Sequence, residues 1–191
     1  MIKEIKNALQ YAKEAHGEQL RSVGPDTGLP YFDTHIIRVT NAVPPWAKAA
    51  AALHDVVEDT DKNIYDLVTT GWFSPETLIA VDMLTQRKQE SYRDYIHRMA
   101  VCDQWDIDNL LYHYAKDRCV EATKGDLLSS AEEDFNGIMS DGRSIAYTVK
   151  IADIMDNITT LPEGPMRGLY LGALHTLTEE HKLDSALPLR D

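Results

Sequence analysis

The run His54-Asp55-Val56-Val57-Glu58-Asp59 brings an imidazole and three carboxylates into six residues. On a helical wheel, at about 100° per residue, Glu58, Asp55 and Asp59 fall within about 140° of His54 and share one polar sector. Trp46, Ala49, Ala50, Leu53, Val56 and Val57 fall opposite, and Ala47 and Ala51 lie among the polar group and leave room there. Carboxylates crowded on one turn repel each other unless a cation or a shared proton relieves them. A bound divalent ion would do so; a solvated acidic turn on a surface helix is the plain alternative. Two other stretches favour the ion. His35, on a preceding helical segment, supplies a second imidazole, and Lys150, Asp153 and Asn157 share one face of a later helix. His35, His54, Asp55 and Asp153 thus form a two-histidine, two-carboxylate set from three helices. Such a nitrogen and oxygen mixture suits manganese, iron or zinc better than calcium or magnesium, and spacing alone does not choose among them.

Helices must position this set. Ile2, Ile5, Leu9, Ala12 and Ala15 recur at helical spacing over the first sixteen residues, and His16-Gly17 ends that helix. Arg21 to Pro30, with two glycines and two prolines, reads as an exposed loop. A second helix is expected from an N-cap at Thr34 through Val43, and a third opens at Pro44-Pro45 and carries the acidic run. Gly71 closes a short helical segment, Ser74-Pro75-Glu76 caps another, and Tyr92, Tyr95, Ile96 and Met99 keep helical spacing. A final helix is expected near Met166 to Lys182, after the Pro162-Glu163-Gly164-Pro165 break. No stretch shows sustained period-two alternation, so the reading is all-α.

The chain has 191 residues, 43% of them hydrophobic, which suits one domain with a sizeable core. Its longest unbroken apolar run, Ala49 to Leu53, is far short of the roughly 18 residues a membrane span needs. No export signal is visible at its start, so a soluble, cytoplasmic protein is expected. A net charge of -12 disfavours nucleic-acid and lipid surfaces as partners. An anionic small molecule stays possible where a metal ion and a few arginines reverse the field inside a cleft. Residues 103–142 hold ten acids and three bases, more than half of the excess charge, and read as an inserted, solvated segment. Within it Trp105 to Val120 is compatible with a helix, and Glu132-Glu133-Asp134 is a solvated charge run. Cys102 and Cys119 are too far apart in sequence to suggest a zinc or redox pair and read as reduced, partly buried thiols.

Four blocks taken in order resemble the HD-domain phosphohydrolases, and more narrowly the small single-domain relatives of the RelA/SpoT-type (p)ppGpp hydrolases. They are Ala15-His16-Gly17-Glu18-Gln19 with Arg21, then Pro30-Tyr31-Phe32-Asp33-Thr34-His35, Ala51-Ala52-Leu53-His54-Asp55-Val56-Val57-Glu58-Asp59-Thr60, and Val149-Lys150-Ile151-Ala152-Asp153 with Asn157. With their linking helices they cover most of the chain outside the acidic segment. The resemblance implies a single HD-domain helical bundle over residues 1–191 with an acidic insertion. It implies that His35, His54, Asp55 and Asp153 hold manganese(II), with iron(II) or zinc(II) as alternatives, and that Glu58 and Asp59 are the acidic catalytic pair. It further implies that Asn157 and Thr160 contact the sugar and base of a nucleotide and that Arg21 packs against the purine. Lys150 matches a lysine of the motif and is grouped with the substrate-facing residues, its role open between touching substrate and organising the acidic site. On the residues alone, Arg21 is equally a solvated loop arginine, Asn157 a helix cross-link and Thr160 a helix end. Two positions depart from the family pattern. Ser22 stands where a basic residue usually follows the arginine, and Ile36 where a proline usually follows the first metal histidine.

The activity implied is release of pyrophosphate from the ribose 3′ position, taking (p)ppGpp to GDP or GTP. A bound ion would lower the pKa of a water and polarise a phosphoryl oxygen, and Glu58 and Asp59 would divide the roles of base and acid, in an order that no sequence assigns. The nearer rival keeps the metal and changes the substrate: a phosphatase of another nucleotide, such as the 2′-phosphate of NADPH, which Ser22 leaves open. The more distant rival is a non-catalytic module sensing metal or nucleotide, disfavoured by the presence of both acids. Tyr31 reads as core. His16, His97, His113, His175 and His181 have no spacing that compels a metal role and read as structural or exposed. Oligomeric state is not legible.

Overall fold

The computed structural model of the protein describes residues 1–101, 109–122 and 128–186. Cys102, Trp105 and the rest of 102–108, together with 123–127 and 187–191, lie outside the described residues. Every extended element described is helical, in keeping with the expected all-α class.

The first helix, α1 (Ile2–His16), turns Ala8 and Ala12 into the core and stops at Gly17, whose N–H bonds the Lys13 carbonyl. The expected open loop that follows is pinned like a hairpin. Arg21 N–H donates to Leu29 O at 2.9 Å, Gly28 N–H to Arg21 O at 2.9 Å and Tyr31 N–H to Gln19 O at 2.8 Å. Gly24, at φ 86°, seats this loop on the last helix of the site: a Cβ there would stand 2.3 Å from the Thr160 carbonyl oxygen.

The second helix begins earlier than Thr34. One π-helical turn, Phe32–Ile36, closed by Ile37 N–H to Phe32 O, carries His35 and passes into α2 (Ile37–Ala42). Thr34 is not an N-cap, because its hydroxyl donates back to the Pro30 carbonyl at 2.7 Å. Wide turns of this kind re-aim single side chains and recur at functional sites.

The third helix, expected to be continuous, is stepped. A 3-10 turn (Pro45–Ala47) leads into α3 (Lys48–Leu53), and α4 (Val56–Asp59) restarts after Asp55, whose φ of -100° and ψ of -2° interrupt the regular backbone. Trp46, expected on the apolar side, is half exposed. Ala47 and Ala51 leave no open space, since both are fully buried with Ala49, Ala50, Ala52 and Leu53. Helix α3 is therefore enclosed from Ala49 to Leu53, and its alanines let α1, α2 and later helices approach its backbone closely.

Helix α5 (Ile64–Thr69) opens with a capping box, Asn63 accepting from Asp66 N–H while the Asp66 carboxylate accepts from Asn63 N–H, and Gly71 follows its end at φ 64°. Helix α6 (Pro75–Leu84) is capped by Ser74, as its sequence predicts, and buries every residue from Thr77 to Leu84. Fully buried side chains such as Leu78 and Ile79 each contribute about 1.5–3 kcal/mol. Then come α7 (Tyr92–Val101), α8 (Asn109–Ala122), α9 (Leu128–Thr160) and α10 (Pro165–Ala186). Helix α9 runs unbroken from the acidic stretch into the block around Asp153. Its Glu133 and Asp134 are exposed, whereas Met139 and Gly142 are buried. Gly142 lies against α6 so closely that a Cβ would meet Ile79 Cγ2 at 2.6 Å. On α8, Leu111, Ala115 and Cys119 are also in the core. The described part of 103–142 thus holds core as well as solvated positions.

Candidate active site

The π turn, the α3–α4 step and the C-terminal part of α9 bring four donor atoms together. His54 Nε2 lies 3.3 Å from His35 Nε2, 3.0 Å from Asp55 Oδ2 and 3.9 Å from Asp153 Oδ1. His35 Nε2 lies 3.4 Å from Asp55 Oδ2 and 3.3 Å from Asp153 Oδ1. Ligands held at metal-bond length around one centre are separated by roughly 2.8–3.6 Å. His35, His54 and Asp55, at 3.0–3.4 Å from one another, fit a transition ion in chemistry and in spacing, and Asp153 adds a carboxylate 3.3 Å from His35 and 3.9 Å from His54. Among the described residues, His35, His54 and Asp55 also converge as a group able to hold a metal.

Each donor is held from behind. His54 Nδ1–H donates to the Ala51 carbonyl at 2.8 Å, so its Nε2 points inward. His35 Nδ1 pairs with Asp156 Oδ2 at 2.7 Å, with the same result. Asp153 accepts from Lys150 Nζ at 2.9 Å on one oxygen and from Asn157 Nδ2 at 2.7 Å on the other. Tyr31 OH donates to Asp55 Oδ2 at 2.6 Å. Burial by itself would raise the Asp55 and Asp153 carboxyls, but the facing imidazoles at Asp55, and Lys150 with His35 at Asp153, hold both below the usual carboxylate range. Burial would likewise lower His35 and His54; the surrounding carboxylates overcome it and lift both. The geometry concentrates negative charge where a cation is wanted.

Glu58 and Asp59 stand above this floor on α4, exposed at the mouth of the cleft. Surrounding protein, and then the charge of Asp55, push both carboxyls upward, the reverse of the shift at the floor. Glu58 Oε2 accepts from Gln86 N–H at 3.1 Å. The loop bearing Gln86 is pinned by the Arg87 fork on Asp82, at 2.8 Å to each oxygen, and by Arg98 on Glu90.

The cleft has a volume of about 470 Å³, with Arg21, Tyr31, Tyr92 and Tyr170 on its walls. Arg21 is buried, donates to Thr160 Oγ1 at 3.2 Å and to Asn157 Oδ1 at 3.5 Å, and sits over the Tyr31 ring at 5.5 Å. Arg21 Nε and Tyr92 OH, both buried, have no hydrogen-bond partner among the described residues. Thr160 stands behind Arg21 and does not line the cleft; Asn157 does, between Arg21 and Asp153. Lys150 lines the cleft, buried over the Tyr95 ring at 4.8 Å with its ammonium on Asp153. A larger apolar groove of about 830 Å³ between α2 and α9 holds none of the four donors.

Sequence reasoning missed three contributors. Tyr31, read as core, is a wall of the cleft and a donor to Asp55. Asp156 and the Gln86 backbone were not singled out, and neither has a signal in residue type or spacing. His97, His113 and His175 are exposed, and His16 is buried with Nδ1 2.7 Å from Gln19 Oε1. The His181 side chain lies outside the described residues.

No family model matches the chain. Among solved structures, it is similar to one described as a metazoan ortholog of SpoT that hydrolyzes ppGpp and plays a role in starvation responses, with 21% identity, 93% of this chain and 84% of that chain covered, and a TM-score of 0.57. The likeness extends over nearly the whole chain and shows that the two share a fold.

Proposed function

We propose that this chain is a divalent-metal-dependent phosphohydrolase that releases pyrophosphate from the ribose 3′ position of (p)ppGpp, leaving GDP or GTP. The observation that carries this reading is the convergence of His35, His54 and Asp55, with Asp153 beside both imidazoles at 3.3 and 3.9 Å, beneath two carboxyls whose surroundings push them upward. The printed activity of the structural neighbour supports the choice of substrate. Manganese(II) is the proposed ion, with iron(II) and zinc(II) as alternatives. A bound ion would supply Lewis acidity toward a phosphoryl oxygen and toward the attacking water.

The chain's own residues do the rest. One of Glu58 and Asp59 accepts a proton from water as its oxygen bonds to phosphorus; the other gives a proton to O3′ as the O3′–P bond breaks. Carboxyls pushed upward by their surroundings can hold and release protons nearer neutrality than ordinary ones. Arg21, fixed by Thr160 and Asn157, presents a cationic plane suited to packing on a purine. Asn157 and Tyr92 offer polar groups to the sugar, and Lys150 keeps Asp153 ionised.

The four acids on the cleft lining would repel a polyphosphate unless a cation intervened, which makes the ion a condition for binding as well as for chemistry. A small phosphorylated nucleotide is the proposed partner, within a single domain whose residues 103–142 are an insertion. No helix among the described residues is long and apolar enough to cross a membrane, and we place the reaction in the cytoplasm.

The test is incubation of the manganese-loaded protein with ppGpp and, in parallel, NADPH. Equimolar GDP and pyrophosphate from ppGpp is the expected result. Phosphate from NADPH with no turnover of ppGpp would transfer the site to the rival substrate, and no product from either would make it a sensing module.

A further inference from the structure

Asp156 lies off the cleft and has no part in the reaction above, yet His35 leans on it. Its Oδ2 is 2.7 Å from His35 Nδ1, and Arg38 closes a fork on the same carboxylate, with Nε 2.6 Å from Oδ1 and an Nη 3.2 Å from Oδ2. The other Nη of Arg38 donates to Asp26 Oδ2 at 2.7 Å. Asp26 belongs to the 21–30 hairpin that carries Arg21 and rests Gly24 on Thr160. An unbroken polar series thus runs from the hairpin to a buried imidazole: Asp26, Arg38, Asp156, His35.

The two histidines are backed differently. His54 is held by a neutral backbone carbonyl, which α3 supplies without any special residue. His35 is held by a charged carboxylate whose side chain is 9% exposed. Burying that charge is costly unless it is paired, and Arg38 pairs it. A carboxylate behind an imidazole fixes its tautomer and ring angle and makes the opposite nitrogen a stronger donor to a cation.

We propose that Asp156 is a positioning residue for the metal site, aiming His35 Nε2 at the ion, and that Arg38 and Asp26 join this seat to the hairpin holding Arg21. Grip on the ion and placement of the substrate loop are then parts of one assembly. This rests on the reading of His35 as a metal ligand.

The test is calorimetric titration of the chelator-stripped full chain with Mn2+, for wild type, His35→Ala, Asp156→Asn, Asp156→Ala and Arg38→Met, with circular dichroism to verify folding. Asp156→Asn is nearly isosteric and is the variant read if Asp156→Ala does not fold. Both Asp156 variants are expected to lose about 10- to 100-fold in Mn2+ affinity. In the Zn2+-loaded protein, the His35 Nδ1–H resonance should move upfield in Asp156→Asn, a change that general loosening would not confine to one ring. Arg38→Met should weaken Mn2+ binding less and raise KM for ppGpp with kcat nearly unchanged. Wild-type Mn2+ affinity in folded Asp156→Asn would overturn the positioning role while leaving the metal site intact. Unchanged affinity in His35→Ala would overturn the metal reading itself, and unchanged affinity and KM in Arg38→Met would overturn the link to the hairpin.

Discussion

Asp55 and Glu58 are one helical turn apart, and their carboxyls are displaced in opposite directions. Asp55, on the floor, faces two imidazoles and a tyrosine hydroxyl. Glu58, on the rim, faces solvent, a single backbone N–H and the negative field of Asp55 itself. The contrast is one of partners, since residue type is nearly the same. On the proposed reading the floor stays ionised and holds a cation, and the rim exchanges a proton. The floor's charge contributes to the upward shift at the rim, so the two regions are coupled.

The largest effect should come from breaking the floor. His54→Ala or Asp153→Asn should lower Mn2+ affinity by more than about 100-fold, beyond the usual cost of losing a supporting residue, and abolish turnover at micromolar metal; calorimetry and pyrophosphate release check this. Breaking the rim should separate chemistry from binding. Glu58→Gln and Asp59→Asn should each reduce kcat by about 10²- to 10⁴-fold with Mn2+ affinity close to wild type, and full turnover in both would remove their assigned roles. A milder change at the border is Tyr31→Phe, which deletes the 2.6 Å donor to Asp55 while keeping the ring under Arg21. A change of at most about tenfold in Mn2+ affinity is expected, with the fold retained.

The smallest effect is on stability and has a definite sign. Glu58 is raised in the folded protein, so its protonated form is favoured there: the stabilising contribution is complete below the ordinary glutamate value of 4.5 and is lost as pH rises through the raised folded value. Glu58→Gln should therefore raise stability slightly at neutral pH, by less than about 1 kcal/mol given the exposure of the group, and the gain should vanish below pH 4.5. Metal-free Asp153 behaves oppositely. Its folded carboxyl is lowered, so its contribution is present above the ordinary 3.8 and declines as pH falls through the folded value. Melting curves of the metal-free variants across pH would expose the two slopes.

The four floor residues were legible because imidazoles and carboxylates are rare in helical interiors and their blocks stand out. The all-helical class was legible from period and caps, as at Ser74 and Gly71. The step at Asp55 was not. No glycine or proline marks it, and His54 Nδ1 takes the Ala51 carbonyl, an acceptor that an unbroken helix would offer to its own backbone. Trp46 was misplaced because the wheel assumed a continuous helix through the 3-10 turn. Asp156 stayed hidden for another reason: its partner His35 is 121 positions away, and nothing in residue type says which nitrogen of that ring needs a carboxylate. Tyr31 looked like core because only the fold reveals that its hydroxyl reaches Asp55.

The central claim is that one transition ion binds where α3, α9 and the π turn meet. Diffraction from crystals of the full chain grown with Mn2+, collected at the manganese absorption edge, tests it most directly. The account predicts a single anomalous peak about 2.2 Å from His35 Nε2, His54 Nε2, Asp55 Oδ2 and Asp153 Oδ1. A peak elsewhere, or none among these four atoms at saturating metal, would contradict it.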